Sequence, residues 1–489
     1  MKILLIYPQY SHSSEFDTRA PSMSLVYLAS SLEKRGHEVA IYDASLGPIV
    51  KAQTVFRYGV SDEDMFSFLS KTKYDLIGIT CSFNARWKYV ENIARQCKKL
   101  FPKVPVALGG LFPTSQWRHC FDHSGDIDFI ALGEAELSFA EIANNIAKGQ
   151  SINESCNGVD GVAWRNEGDI FYNPKSKYND ELDDLPFPAW HLMDLKKYFV
   201  LQKKIFELPA PCLPILSSRS CPNRCRFCNM YITHGSKWRA RSAQSLLNEL
   251  EFLKGRFNVS NFYFIDDNFS LDLERAKAIC RGIMERKLDI KYNFHNGLSI
   301  KTIDRELVQL MKTSGCTSAC LAVESGSERI RNIVYGKNLM TKKIFEVFSW
   351  FKEAGIPTVG YFLVGAPGEK RQDFEETKRL LAKLPMSLVT VGIFTPYPGT
   401  ELYDECKKNG WLLEDSFENR DRVELFSAAL STPDFGPKEV QRWKKELYFS
   451  FIHHHWASLI KEMFRPYSVV NKDAIGKFIG MLKFKPLDS

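Results

Sequence analysis

Ser220-Cys221-Pro222-Asn223-Arg224-Cys225-Arg226-Phe227-Cys228-Asn229 places three cysteines within eight residues, at the spacing Cys-x3-Cys-x2-Cys. Thiolates that close on one loop can converge on an iron–sulfur cluster or on zinc. A structural zinc site wants four protein ligands, and no fourth Cys or His follows at regular spacing. His234 is the only candidate close by. Three thiolates on a four-iron cluster leave one iron open to a small molecule, which suits catalysis better than a structural role. The other nine cysteines share no pattern and read as small buried thiols.

The residues around this loop predict an α/β chain. Residues 214–217 form a first strand just before the cysteines. Further strands are expected at 261–265, 291–295, 318–323, 358–364 and 388–394, with amphipathic helices such as 245–256, 304–314 and 342–354 between them. Six βα units of ~30 residues predict a partial (β/α)6 TIM-type barrel over residues 214–400, since a full eight-unit barrel takes about 250 residues. In a barrel the chemistry lies at the strand C-termini, and the cysteine loop follows the first strand. Residues 401–489 break the pattern and read as helical, with Val440, Trp443, Leu447 and Phe451 as a buried stripe.

Upstream, residues 1–147 alternate short apolar strands (2–7, 38–42, 75–80, 104–108, 128–132) with helices (22–35, 85–100, 137–147). That pattern predicts a Rossmann-like parallel sheet covered on both faces. Ligands gather beyond the strand C-termini of such sheets. The loops there are rich in small residues: Thr80-Cys81-Ser82, Gly109-Gly110 and Gly133-Glu134. Gly-x-Gly-x-x-Gly is absent after the first strand, which argues against a dinucleotide site. Residues 148–213 read as a connector with a hairpin at 158–172 and a proline-rich stretch at 185–190.

The cysteine spacing, with an aromatic before the third cysteine and on the first loop of a βα series, resembles the radical S-adenosylmethionine (SAM) superfamily. The resemblance implies a [4Fe-4S] cluster on Cys221, Cys225 and Cys228, whose open iron chelates SAM. It implies Phe227 near the adenine. Asp266, in Asp266-Asp267, falls where the SAM amino group is held, though the pair departs from the Gly-Gly-Glu form. Glu324 and Ser325 open a segment resembling the ribose-contacting one, and Gly365-Ala366-Pro367-Gly368-Glu369 resembles the Gly-x-Pro-Gly turn of the fifth strand. Residues 1–147 resemble the cobalamin-binding domain preceding the barrel in one class of the superfamily, on residues 21–39, 109–114 and 133–136. Thr80, Ser82, Gly109, Gly110, Thr114, Gly133 and Glu134 are the implied cobalamin contacts. The Asp-x-His-x-x-Gly sequence that supplies a lower axial histidine is missing, so cobalamin would lack a histidine ligand from this domain.

The class implies reductive cleavage of SAM and attack on an unactivated carbon, with cobalamin-dependent C-methylation of a natural-product or lipid-like substrate as the leading expectation. Rearrangement, dehydration, cyclisation or carbon–carbon bond formation on the same scaffold is the alternative, with or without cobalamin. A non-catalytic iron–sulfur or zinc protein is the third. No catalytic residue beyond the cluster ligands stands out. His453-His454-His455 point around a helix rather than to one face, so a shared metal site is not expected.

Composition excludes other classes. At 44% hydrophobic and 25% charged the chain is globular, and no run of 18 apolar residues spans a membrane. The first residues lack the long apolar core of a signal peptide, which points to the cytoplasm. Net charge is +7, and +5 of it falls in residues 437–489, which hold ten Lys/Arg against five Asp/Glu. There is no basic stripe interleaved with aromatics in the body, so nucleic acid is not an expected partner. Expected partners are a small-molecule substrate, hydrophobic in character, and an electron donor such as flavodoxin or ferredoxin. The basic, aromatic tail around Arg465-Pro466-Tyr467 would suit a peripheral membrane contact.

Overall fold

The computed structural model describes residues 1–12, 19–52, 55–201, 204–205, 208–413 and 428–463. They form two compact units, the first made chiefly of described residues up to 201 and of 230–237, the second chiefly of residues 208–229, 238–413 and 428–463.

The first unit is built on a seven-stranded sheet. Its strands run in the order Asp169–Asn173, Val162–Asn166, Phe129–Ala131, Val106–Gly109, Leu76–Thr80, Lys2–Tyr7 and Glu38–Asp43. The last five of these are parallel. Both faces are covered, and the side-chain alternation of Lys2–Tyr7 shows how. Leu4 and Ile6 enter one apolar cluster with Met65, Leu69, Val90 and Ile93 from the helices Asp62–Ser70 and Trp87–Leu100. Ile3 and Leu5 enter the other, with Leu25, Leu32, Phe139 and Ile142 from the helices Met23–Glu33 and Ser138–Ala147. The helix Met23–Glu33 begins where Ser22 Oγ accepts from the Leu25 amide. It ends at Gly36, whose φ of +84° lets the chain turn into the next strand.

The hairpin expected near residues 158–172 forms from Val162–Asn166 and Asp169–Asn173, turning through Glu167 and Gly168 at positive φ. It does not stand alone. Val162–Asn166 pairs antiparallel with Phe129–Ala131 and buries Val162, Ala163 and Trp164, so the hairpin extends the first sheet.

The second unit carries a six-stranded parallel sheet, Cys212–Ile215, Asn261–Phe264, Lys291–Leu298, Cys316–Glu324, Thr358–Val364 and Leu388–Ile393, in sequential order. The two end strands do not pair with each other, so this is the open, partial barrel anticipated from the spacing. Side-chain caps set its helix starts: Ser242 for Ala243–Phe257, Asp272 for Leu273–Glu285 and Asp304 for Arg305–Ser314. Each loop from strand to helix is thereby fixed at its far end, and the loop between is left to form the site.

The chain then continues into the helix Pro437–Met463. Its expected stripe is buried: Val440, Trp443, Leu447 and Phe451 are all at most 1% exposed. Trp443 stacks on Phe374 of the helix Arg371–Lys383 at 5.3 Å, and Tyr448 Oη accepts from the Val391 amide at 3.1 Å. The three histidines diverge as expected: His453 and His454 are exposed, while His455 is buried with Nε2 3.1 Å from the Leu381 carbonyl. The tail around Arg465-Pro466-Tyr467 lies outside the described residues.

Candidate active site

Cys221, Cys225 and Cys228 are partly exposed, whereas the other nine cysteines are buried. They follow the strand Cys212–Ile215 on a loop that turns through Ser220 (φ +71°) and Arg224 (φ +44°), left-handed conformations costly for residues with a Cβ. Surrounding bonds hold these turns. The Ser220 amide donates to Asp267 Oδ2 at 2.9 Å, and the Arg226 amide to the Tyr335 carbonyl at 3.0 Å. The Arg226 guanidinium donates to Glu401 at 2.9 Å and Glu405 at 2.8 Å, tying the loop to the helix Glu401–Lys408.

Among the described residues, no group of three His, Cys, Asp or Glu side chains lies within reach of one metal ion. Donors stand around the three cysteines. Asn268 Nδ2 lies 3.5 Å from Cys221 Sγ, an outer-shell contact to a ligand sulfur. Lys301 donates to Asn223 Oδ1 at 3.2 Å, and it and Lys337 both act electrostatically on Cys225. Burial lowers the Lys301 ammonium from its ordinary value and raises the Cys225 thiol. Lys301 thus places a cation beside the thiols, while the charge of Lys337 is shared with Glu324.

The residues expected to flank SAM divide into two groups. Phe227 stands at the loop's end, its ring edge-on to Tyr335 at 5.0 Å. Glu324 ends its strand at φ +67° and pairs with Lys337 Nζ at 2.7 Å, with both side chains about nine-tenths buried. Gly365 begins its turn at φ +86°. Asp266 and Ser325, by contrast, are turned inward. Asp266 is buried and accepts from Ser217 Oγ at 2.6 Å, Ser218 Oγ at 2.5 Å and the Ser217 amide at 3.2 Å, which anchors the end of the first strand. Ser325 is fully buried, its hydroxyl 3.1 Å from Thr377 Oγ1 and accepting from the Ser327 amide.

Glu369 closes the Gly365 turn. Its Oε2 accepts from the Gly365 amide at 2.6 Å and the Ala366 amide at 2.9 Å, while Oε1 is buried without a partner. Burial pushes this carboxyl up to about 7. Tyr335 Oη is also buried without a partner, and the two groups act on each other electrostatically. Lys301, Lys337, Tyr335 and Asn268 carry no mark in the sequence. They arrive from loops far down the chain, and no local spacing singles them out.

In the first unit, the expected contacts gather at the C-terminal ends of three adjacent strands, Leu76–Thr80, Val106–Gly109 and Phe129–Ala131. Thr80 is buried and Ser82 partly exposed. Thr114 joins the two glycine loops: its Oγ1 donates to the Gly110 carbonyl at 2.7 Å and accepts from the Gly133 amide at 3.0 Å. Gly110 (φ +109°) has no room for a side chain, since a Cβ would sit 2.7 Å from the Cys81 carbonyl oxygen. Gly109 has room, its nearest neighbour lying at 3.7 Å. Glu134 is buried, with Oε1 3.0 Å from Nδ1 of His234, which folds with this unit.

A doubly covered sheet with a backbone-lined ligand edge, and a partial barrel with a cysteine loop on its first strand, together define a two-domain cofactor enzyme. Comparison with known proteins narrows this. The family model for the B12 binding domain matches residues 14–143, and that for the radical SAM superfamily matches residues 215–381. The chain therefore carries a radical SAM domain preceded by a B12-binding domain. It is similar to an uncharacterized methyltransferase of Pyrococcus horikoshii, with 26% identity over 477 residues and 97% of each chain covered. It is also similar to the anaerobic magnesium-protoporphyrin IX monomethyl ester cyclase of Rubrivivax gelatinosus, with 23% identity over 408 residues, 83% of this chain and 70% of that one. The cobalamin-dependent SAM radical enzyme OxsB, solved with aqua-cobalamin and SAM, shares the fold at a TM-score of 0.71, with 16% identity over 98% of this chain and 70% of that one.

Proposed function

We propose that the protein is a cobalamin-dependent radical SAM methyltransferase acting on an unactivated carbon of a natural-product or lipid-like small molecule. The observation that carries this reading is the end-to-end similarity to a protein named as a methyltransferase, both domains included. The functional division follows the sequence: residues 1–147 for the corrinoid, 148–213 as connector, 214–400 for the cluster and SAM, and 401–489 as the helical closing segment.

When bound, the cluster with SAM supplies a carbon-centred radical and the corrinoid supplies a methyl group. The chain's own residues position these groups. Cys221, Cys225 and Cys228 would hold the cluster, with Lys301 compensating part of its charge. Phe227, Glu324 and the Gly365 turn would border SAM, while Asp266, Ser325 and Glu369 would hold those borders from behind. Thr80, Ser82, Gly109, Gly110, Thr114, Gly133 and Glu134 would receive the corrinoid largely through backbone and small side chains. A cytoplasmic location and a flavodoxin or ferredoxin as reductant complete the reading. Among the described residues, no helix is long and apolar enough to cross a membrane.

The test is anaerobic reconstitution with iron, sulfide and hydroxocobalamin, then turnover with methyl-labelled SAM on candidate substrates. Methyl transfer predicts about four irons and one corrinoid per chain, 5′-deoxyadenosine, and label in the product. Deoxyadenosine with unlabelled product would replace methylation by a cyclisation or rearrangement, the direction in which similarity to a cyclase points.

A further inference from the structure

The helix Pro437–Met463 has a second face that packing among the described residues leaves uncovered. While Val440, Trp443, Leu447 and Phe451 are buried, Phe449 is 56%, Trp456 61% and Ile460 51% exposed. With exposed His453 they recur at i, i+4, i+7 and i+11, so they lie in one line along the helix. The same line continues toward the N-terminus through Lys445, Arg442 and Lys438, at the same intervals, and Arg442 and Lys438 are exposed. The stripe is therefore cationic in its first half and apolar in its second. Of the acids in that half, Glu446 is held by Arg371 at 2.7 and 3.1 Å, and Glu439 stands beside Lys438.

We infer that this stripe is a docking face for an anionic lipid surface, with the apolar end inserted and the cationic end at the headgroups. An interface between water and hydrocarbon accepts both halves at once: Trp456, Phe449 and Ile460 enter the acyl boundary, while Arg442 and Lys438 meet lipid phosphates. A second copy of the chain does so poorly. Antiparallel stripes would set the cations of one copy on the apolar end of the other, and parallel stripes would oppose like charges. The charge of the whole region points the same way, with ten Lys/Arg against five Asp/Glu over residues 437–489. The inference is independent of the chemistry at the barrel mouth.

The test is co-sedimentation of the full-length, cluster-reconstituted protein with vesicles. One set is pure phosphatidylcholine, and the other contains an equal part of phosphatidylglycerol. The protein should pellet with the anionic vesicles, only weakly with the neutral ones, and less as salt is raised. Trp456→Glu with Ile460→Glu, and separately Lys438→Glu with Arg442→Glu, should each lower the partition coefficient about ten-fold or more with iron content unchanged. These side chains are exposed, so neither variant disturbs the core. No pelleting with anionic vesicles, or equal pelleting of wild type and the Trp456→Glu/Ile460→Glu variant, overturns the inference. So does a dimer in sedimentation velocity that this variant dissociates without any vesicle binding, which would assign the face to a second copy.

Discussion

The two sheets of this protein place the residues of their expected sites at the same topological position, the C-terminal ends of parallel strands, but build them from opposite materials. In the first unit the strand ends carry Thr80, Gly109 and the loop at Gly133, joined by one threonine hydroxyl. Apart from Glu134 beside His234, little charge stands there, and the shape of the backbone would do the recognition. In the second unit the strand ends carry Asp266, Glu324 and the Glu369 turn, all buried. Burying a carboxylate is costly without partners, so each is met by hydroxyls, backbone amides or an ammonium. A large, flat ligand needs an edge that backbone can approach closely, whereas a small zwitterion on a charged cluster needs fixed charges in fixed places.

The comparison breaks most sharply at the cysteines. On the proposed reading, Cys225→Ala removes a ligand of the cluster and none of the corrinoid edge. Iron retained after reconstitution should fall to near background, and 5′-deoxyadenosine formation should drop by more than about a hundred-fold, beyond what outer-shell changes at metal sites produce. Corrinoid retention, read from the visible spectrum, should stay at the wild-type level. Loss of corrinoid together with iron would show that the two regions do not bind independently.

The buried carboxyl of the second unit gives the next largest effect. Glu369 is raised to about 7 from an ordinary value of 4.5, with burial as the first cause. Such a group favours the folded state while it is protonated there. Its contribution is fully present below the unfolded value and is lost as pH rises through about 7. The full span is about 3 kcal/mol. Wild-type Tm should therefore decline from pH 5 to pH 8 more steeply than that of Glu369→Gln, which keeps an acceptor for the Gly365 and Ala366 amides without ionising. Parallel profiles for the two proteins would remove the titration from this group.

The same contrast explains what could be read in advance. The cysteine triad is local in sequence, and fully apolar strands announce a sheet covered on both faces, so cluster and architecture were legible. Lys301, Lys337 and Tyr335 were not, because their role comes from tertiary placement; Lys301 meets Asn223 from 78 positions down the chain. Asp266 and Ser325 sat at the anticipated strand ends, yet a strand-end aspartate or serine can face a ligand or hold the loop behind it, and sequence does not say which. The hairpin at Val162–Asn173 was legible as a hairpin, but its place in the first sheet was not. Its outer strand exposes Ile170, Phe171 and Tyr172, so its pattern is not that of a sheet member buried on both faces.

The backbone-built edge makes the smallest and most specific prediction. At Gly133 the φ of +66° and the Thr233 carbonyl oxygen, 2.7 Å from where a Cβ would stand, both oppose a side chain. Gly133→Ala should cost about 1–3 kcal/mol of backbone strain and contact, borne by a single loop. The loop can relieve it only by shifting away from Thr233, a movement that would disturb the bond from the Gly133 amide to Thr114 and so the edge where the corrinoid is expected. Corrinoid retention should then fall several-fold at a ligand concentration near saturation for the wild type, while iron content stays the same. If Gly133→Ala lowers stability but leaves corrinoid retention intact, the glycine serves the fold of the loop alone. The contrast between a backbone-built edge and a charge-built mouth would then have to rest on Gly110.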